Sequence, residues 1–323
     1  MSYQEVFMKR ILLVVAVSAL LGLHPAADGQ KFTEWSAPVN LGPVVNSTYS
    51  EAGTYISKDG LSLYFGSGRP GGVGPTNTMD IWVSHRESTD KPWGPPFNPG
   101  SPLNTTDNEQ TPMLSIDGHR LYFARDGSGG YGSQDLYVSR RQHKWEDTDW
   151  STPVTLGPGV NTTSEENGPS IIENDETGLL TLYFSSTRAK PVGMGYEDIY
   201  VSTAHPGEPF GPAVLEALLS GPYRDVRPFV QREGLEVYFD SNRPGSLGTA
   251  VDLWTSSRES LWAPWSDPVR LPDTINSNVV DARPVVSFDG TELYFHSYRP
   301  GSLGGSNDIW ACTRSKITGR GKK

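Results

Sequence analysis

Five carboxylates stand at matched places along this chain: Glu51, Glu109, Glu166, Asp225 and Asp281. In the last four copies a proline follows three residues later, while the first has Thr54 there. Arg69, Arg188, Arg243 and Arg299 recur four residues after a Tyr-Phe pair, and Arg227 and Arg283 stand two residues after the acid in the last two copies only. Two chemistries suit such a set. A pair of carboxyls on either side of a bound sugar can break a glycosidic bond, one as acid and the other as base or nucleophile. An arginine offers a planar fork that matches a carboxylate. Against both stands the repetition itself, because a catalytic site is asymmetric and a residue recurring in every copy reads first as a fixture of the loops.

Departures from the repeat are therefore the informative positions. The second copy replaces the Ser-x-Arg pattern with Arg125 and Asp126. Tyr49, Tyr196 and Tyr223 could stack on sugar rings near the same loops, or pack within them. Asn46, Asn104, Asn161 and Asn276 precede the acids by five, each followed by Ser or Thr. The first three match the N-glycosylation pattern, but a repeat position is read here as a turn former. There is no G-x-S-x-G elbow. The six histidines are scattered with no pair at ligand spacing, so neither a metal nor a cofactor is expected.

Something must hold these residues in register. The landmarks recur about every 57 residues, the signature of an array of supersecondary units. Each copy has a Tyr-Phe pair, from Tyr64-Phe65 to Tyr294-Phe295, and an Asp-x-aromatic triplet, from Asp80-Trp82 to Asp308-Trp310. A fourth landmark, an aromatic with proline three residues on, occurs at Trp93, Trp150, Phe210 and Trp265, and once more at Trp35, ahead of the first copy. The final copy lacks it. A unit begun at one end and finished at the other predicts a closed ring, with the N-terminal strand completing the last sheet so that no edge is left open. Four strands, a to d, are read in each unit, with a running from the acid and b on the Tyr-Phe pair; strand c carries Asp-x-aromatic and d the Trp-x-x-Pro segment. The fold class is all-β: a five-bladed β-propeller of four-stranded antiparallel blades.

The string S-x-D-G-x-x-L-Y-F-x-S-x-R-x-G-G…D-I-W, as in "SFDGTELYFHSYRPGSLGG", resembles the WD-like repeat of the TolB family of propellers, across 31–315. That resemblance implies a secreted or periplasmic propeller. It departs from TolB, which has six blades and an added N-terminal domain. Tachylectin-like lectins and the arabinanase and levansucrase groups are similar in blade number only.

Composition completes the picture. With 36% hydrophobic residues and a single cysteine, Cys312, the chain can bury a large core without an intrachain disulfide. Residues 1–29, with Lys9-Arg10 before "ILLVVAVSALLGL", read as a secretory signal whose better start is Met8, and an uncleaved anchor is the alternative. Removing them leaves the net charge at −10, which argues against nucleic acid as a partner. Residues 30–315 form one propeller domain and 316–323 a disordered basic tail. The expected protein is a periplasmic or secreted monomer with no membrane span once processed, a non-enzymatic module binding a protein or cell-envelope glycan. The candidate ligand-binding residues at its channel mouth are the five acids with Arg69, Arg188, Arg243, Arg299, Arg227 and Arg283. The alternative is a glycosidase-like enzyme using the mouth carboxylates.

Overall fold

The computed structural model describes residues 32–127, 129–189, 196–248, 250–305 and 307–317. The signal segment and all of the basic tail except Lys316 and Ile317 lie outside them. Residues 34–314 form the ring, and Phe32 and Thr33 pair separately with Lys316 and Ser315. Five antiparallel sheets make up the ring, their strands connected in sequence order. The inner strands, a, are Glu51–Ile56, Glu109–Leu114, Glu166–Glu173, Asp225–Val230 and Asp281–Val286. Strands b carry the Tyr-Phe pairs and strands c the Asp-x-aromatic triplets. Strand d is two residues long in blades 2 to 4 and a single bridge, Val83 to Phe97, in blade 1.

Blade 5 is completed from the other end of the chain. Val39 and Asn40 pair with Ala311 and Trp310. Ser36 N donates to Thr313 O and Leu41 N to Ile309 O, extending the pairing on both sides. The N-terminal segment thus closes the wheel, as the displaced Trp35 landmark predicts.

Apolar residues on both faces of strands b and c fill the space between blades: Phe65, Phe123, Phe184, Phe239 and Phe295 are each fully buried. Two polar fixtures repeat around the ring. On the d-to-a linker, the Asn46 amide accepts from Ile309 N and donates to Ile309 O, so one buried side chain satisfies both backbone groups of one residue. Asn104 does this for Ile81, Asn161 for Leu136 and Asn276 for Leu253, and Ser220 substitutes at Ile199. These asparagines are buried, which agrees with their reading as turn formers.

The second fixture is an arginine after strand c that sequence reading missed. Arg86, Arg141 and Arg258 lie 4.4, 4.5 and 4.2 Å over Trp93, Trp150 and Trp265, each donating Nε to a glycine carbonyl of its own a-b turn. In blade 5 Arg314 covers Trp35 at 4.2 Å and donates to Gly290 O, so the N-terminal tryptophan fills the slot that each d strand fills elsewhere. Truncating Trp35 to alanine is expected to cost about 2 kcal/mol in urea unfolding, against about 0.5 kcal/mol or less for Trp262→Ala, whose ring is 91% exposed. Equal losses for the two variants would mean that the closure contributes little.

Candidate functional site at the channel mouth

Four of the five repeated acids close on an arginine of their own blade. Glu51, fully buried, accepts from the Ser47 hydroxyl at 2.6 Å, from Ser67 at 3.1 Å and from Arg69 Nη2 at 2.9 Å. The acid-arginine pair recurs as Glu166 with Arg188, Asp225 with Arg243, and Asp281 with Arg299, at 3.2, 2.6 and 2.5 Å. Each of these arginines also donates to a linker carbonyl (Val45, Val160, Leu219 or Ile275) and so ties the d-to-a loop to the b-to-c loop.

Blade 2 breaks the pattern. Glu109 keeps the linker contacts, Thr105 Oγ1 at 2.6 Å and Thr105 N at 3.0 Å, but the described residues give it no arginine at salt-bridge distance. Arg125, which takes the serine's place, lies over the Tyr137 ring at 4.0 Å instead. Burial outweighs the Thr105 hydrogen bonds and pushes the Glu109 carboxyl up to about 7, with the Asp80 charge adding to the rise. Burial also raises Glu51, against the opposing pull of Ser47 and Arg69.

Beside Glu109 the mouth carries two carboxylates with no counterpart in other blades. Asp126 ends strand b of blade 2; its Oδ2 accepts from Asn108 at 2.7 Å, and its Oδ1 is buried with no hydrogen-bond partner. The matching residues elsewhere are Gly68, Thr187, Asn242 and Tyr298. Glu165, exposed, directly precedes the repeat acid of blade 3, where the other blades have Ser50, Asn108, Arg224 and Val280. Gln134 lies between the two: it pairs with Asp126 in the blade 2 sheet and bridges Glu165 in parallel. Two strand spacings separate their backbones, about 10 Å. Sequence reading singled out Asp126 but missed Glu165, which the adjacent Glu166 landmark concealed.

One layer deeper, every inner strand bulges at the same place. Gly53, Thr111, Gly168, Arg227 and Arg283 all take positive φ, between 51° and 61°. For the three residues that are not glycine this conformation costs about 1 kcal/mol each. Glycine has no choice in blade 1, where a Cβ on Gly53 would sit 2.6 Å from Thr111 Cα. Together with the following Thr54 and prolines these residues line a small cavity of about 30 Å³ in the channel.

Polar departures sit behind this layer too, in strand b at the residue after Phe: Gly66, Ala124, Ser185, Asp240 and His296. Asp240, fully buried, takes both forks of Arg227 and also accepts from Arg283 N at 3.0 Å. His296 contacts Thr54 Oγ1 at 2.9 Å and Glu51 O at 3.0 Å. Burial first, and then the Arg283 charge, hold it neutral, well below the usual histidine range. All three polar members of this series lie in blades 3 to 5. A signal was present: a polar residue within a strand that is otherwise apolar on both faces.

The structure thus brings Glu51, Glu166, Asp225 and Asp281 together with Arg69, Arg188, Arg243 and Arg299 as four separate pairs, leaves Glu109 apart, and places Arg227 and Arg283 deeper in the channel. Among the described residues the trio with ligand atoms within 4.8 Å of one another is His143, Glu146 and Asp149, a solvent-facing turn in which His143 contacts Asp149 at 3.3 Å. Hydrogen bonding between His143 and Asp149 accounts for the grouping without an ion.

Comparison with known proteins bears on the fold. No family model matches the chain, and no curated protein matches it. Solved structures do. The chain is similar to the catalytic domain of a GH62 α-L-arabinofuranosidase from Coprinopsis cinerea, at 9% identity and TM-score 0.57, covering 88% of this chain and 98% of that one. It is also similar to a GH43 endo-arabinanase from Bacillus licheniformis, at 12% identity and TM-score 0.54, with 87% and 96% covered. A family 117 glycoside hydrolase from Zobellia galactanivorans matches at 14% identity and TM-score 0.51, with 88% and 89% covered. The chain is a five-bladed β-propeller built like these rings.

Two expectations are corrected. The TolB resemblance does not hold, since the matching structures are glycoside hydrolase propellers. Strings such as Asp-Gly turns and Tyr-Phe strands follow from packing four short strands between neighbours, and so recur in unrelated propellers. The non-enzymatic module binding a protein or cell-envelope glycan is overturned by the same comparison, which favours the glycosidase-like alternative. Reasoning from repeated residues favoured a plain binding module because no two of the five repeated acids stood apart as a catalytic pair.

The shifted Glu109 carboxyl makes stability depend on pH in a stated direction. The folded chain holds a proton that the unfolded chain sheds above its ordinary value of 4.5, so this stabilisation is lost as pH rises from 4.5 to about 7. The full loss is about 3 kcal/mol. Glu109→Gln removes the dependence: relative to the parent, its unfolding free energy should gain about 3 kcal/mol between pH 4 and pH 8 in parallel denaturant titrations. A constant difference would show that Glu109 is an ordinary ionised carboxylate.

Proposed function

We propose that the protein hydrolyses glycosidic bonds at the mouth of its channel, with Asp126 and Glu165 as the two catalytic carboxyls. The observation that carries this reading is their juxtaposition across Gln134: two acids outside the repeat, about 10 Å apart at the backbone. Side chains of two and three carbons can bring such a pair into the range that flanks a sugar, with a water between for an inverting reaction. In this reading Asp126 is the acid. A turn of this partly exposed carboxyl would bring its Oδ1, buried and without a hydrogen-bond partner, to the leaving glycosidic oxygen and give it the bond it lacks. Glu165, open to solvent, takes a proton from the attacking water. Glu109 touches no substrate. It is a positioning residue whose charge beneath the pair changes near neutral pH.

The likeness to arabinofuranosidase, endo-arabinanase and family 117 rings supports a glycan substrate, which fits an extracellular or periplasmic setting. Among the described residues no helix is long and apolar enough to cross a membrane. Tyr131, 46% exposed on the glycine-rich loop beside Asp126, offers a stacking face for a sugar ring.

Release of reducing sugar from arabinan, xylan and oligogalacturonate tests the proposal. Asp126→Asn and Glu165→Gln should each lower the rate on the hydrolysed substrate by about 100-fold or more, with melting temperature preserved, while the exposed Glu146→Gln leaves it unchanged. Full activity in either carboxyl variant, or no cleavage of any of the three by the parent, would remove the assignment.

A further inference from the structure

We infer that Arg283 recognises the carboxylate of an acidic sugar, drawing a uronate-bearing glycan into the channel mouth. The inference rests on the glycan reading of the same site and adds to it the class of sugar. Arg227 and Arg283 line one cavity but differ in their partners. Arg227 is spent on Asp240, which it grips with Nε and Nη2. Asp240 gives Arg283 only a backbone contact, to its N-H. The Arg283 guanidinium reaches across the ring to a neutral group, Gln110 Oε1, at 3.4 Å, at the limit of a hydrogen bond. Burial first, then the Arg227 charge, with Arg224 adding, push Arg283 down to about 9 against the opposing pull of Asp240. A guanidinium buried among cations without a carboxylate of its own is costly to keep.

The backbone tells the same story. Arg283 occupies the bulge slot that blades 1 and 3 fill with glycine, at φ 57°, so blade 5 accepts a strained conformation to place this side chain in the channel. Strain of this kind collects at ligand sites. Nothing in ring closure asks for it, because Gly53 and Gly168 make the same bulge unaided. The fork is planar and belongs to a residue that lines the channel cavity, and Gln110, its present contact, adjoins Glu109 in blade 2. A carboxylate bound by Arg283 would therefore hold its sugar ring above the inner strand of the blade that carries Asp126. A single open fork in a confined channel suits one planar monoanion.

The test uses ligand-observed NMR titration of the full chain with galacturonate, glucuronate, galactose and galactose 6-sulfate, at low ionic strength and pH 7. The parent should bind at least one uronate tenfold or more tightly than galactose. Arg283→Gly, which restores the residue used in blades 1 and 3, should melt at or above the parent temperature and lose that preference, as should Arg283→Gln. No preference in the parent, or one that survives in both variants, overturns the inference. Tighter binding of galactose 6-sulfate than of either uronate shows the anion is not a carboxylate and overturns it too. The two proposals separate: unchanged cleavage by Asp126→Asn with a uronate preference that depends on Arg283 sinks the catalytic assignment and keeps this one. Cleavage that needs Asp126, with equal binding of acidic and neutral sugars, does the reverse.

Discussion

One constraint governs this molecule: five sheets that each need a neighbour on both sides must be closed into a ring by a single chain. The closing contacts are of the same kind as those that hold successive blades. Asn46 grips both backbone groups of Ile309 across most of the length of the chain, as Asn104 grips Ile81 across 23 residues. Trp35 lies under Arg314 as Trp93 lies under Arg86. Because no contact at the seam is special, the ring has no weak edge, and its hydrogen-bonding groups are spent within the sheets. Every other feature of the channel presupposes that this circle is shut.

Within it the polar residues divide by whether they obey the repeat. Those that do are consumed: the carboxyl of Glu51 by Ser47, Ser67 and Arg69, and those of Glu166, Asp225 and Asp281 by Arg188, Arg243 and Arg299 and by donors of their own linkers. Such pairs tie two loops together at each spoke and leave the mouth stiff. Those that do not obey it are distributed unevenly. Blades 2 and 3 place Asp126 and Glu165 at the mouth, while blades 4 and 5 place Arg227, held by Asp240, and Arg283 one layer deeper. The channel is therefore uneven from side to side and from layer to layer, although the scaffold beneath has nearly fivefold regularity. A ligand with its own head and tail would find only one way to lie across it.

The architecture was legible in the sequence because each blade writes its rules again: an apolar pair for strand b, an Asp-x-aromatic for strand c, and a misplaced Trp35 for the seam. The site was legible only in part. Asp126 stood out as a break in Ser-x-Arg, but Glu165 hid beside Glu166, and its relation to Asp126 exists only through Gln134, on a strand that neither residue belongs to. Asp240 and His296 were overlooked for a different reason, although a polar residue in an apolar strand marked them. Their position faces the gap between blades, where a strand reads as uniformly apolar, and only the neighbouring blade's bulge explains a charge there. The TolB likeness failed on the same ground: shared strand grammar reports how blades pack and is silent on what the loops do.

The five equivalent bulges have a consequence for how such a ring can diversify. Each turns one residue inward at the same depth, and the structure accommodates glycine, threonine or arginine there without altering the strands around it. The channel is in effect a combination dial whose neighbouring wheels mesh, since a Cβ on Gly53 would meet Thr111 Cα and one on Gly168 would meet Arg227 Cα. New tastes for ligands must therefore be written on that dial in neighbouring pairs of characters.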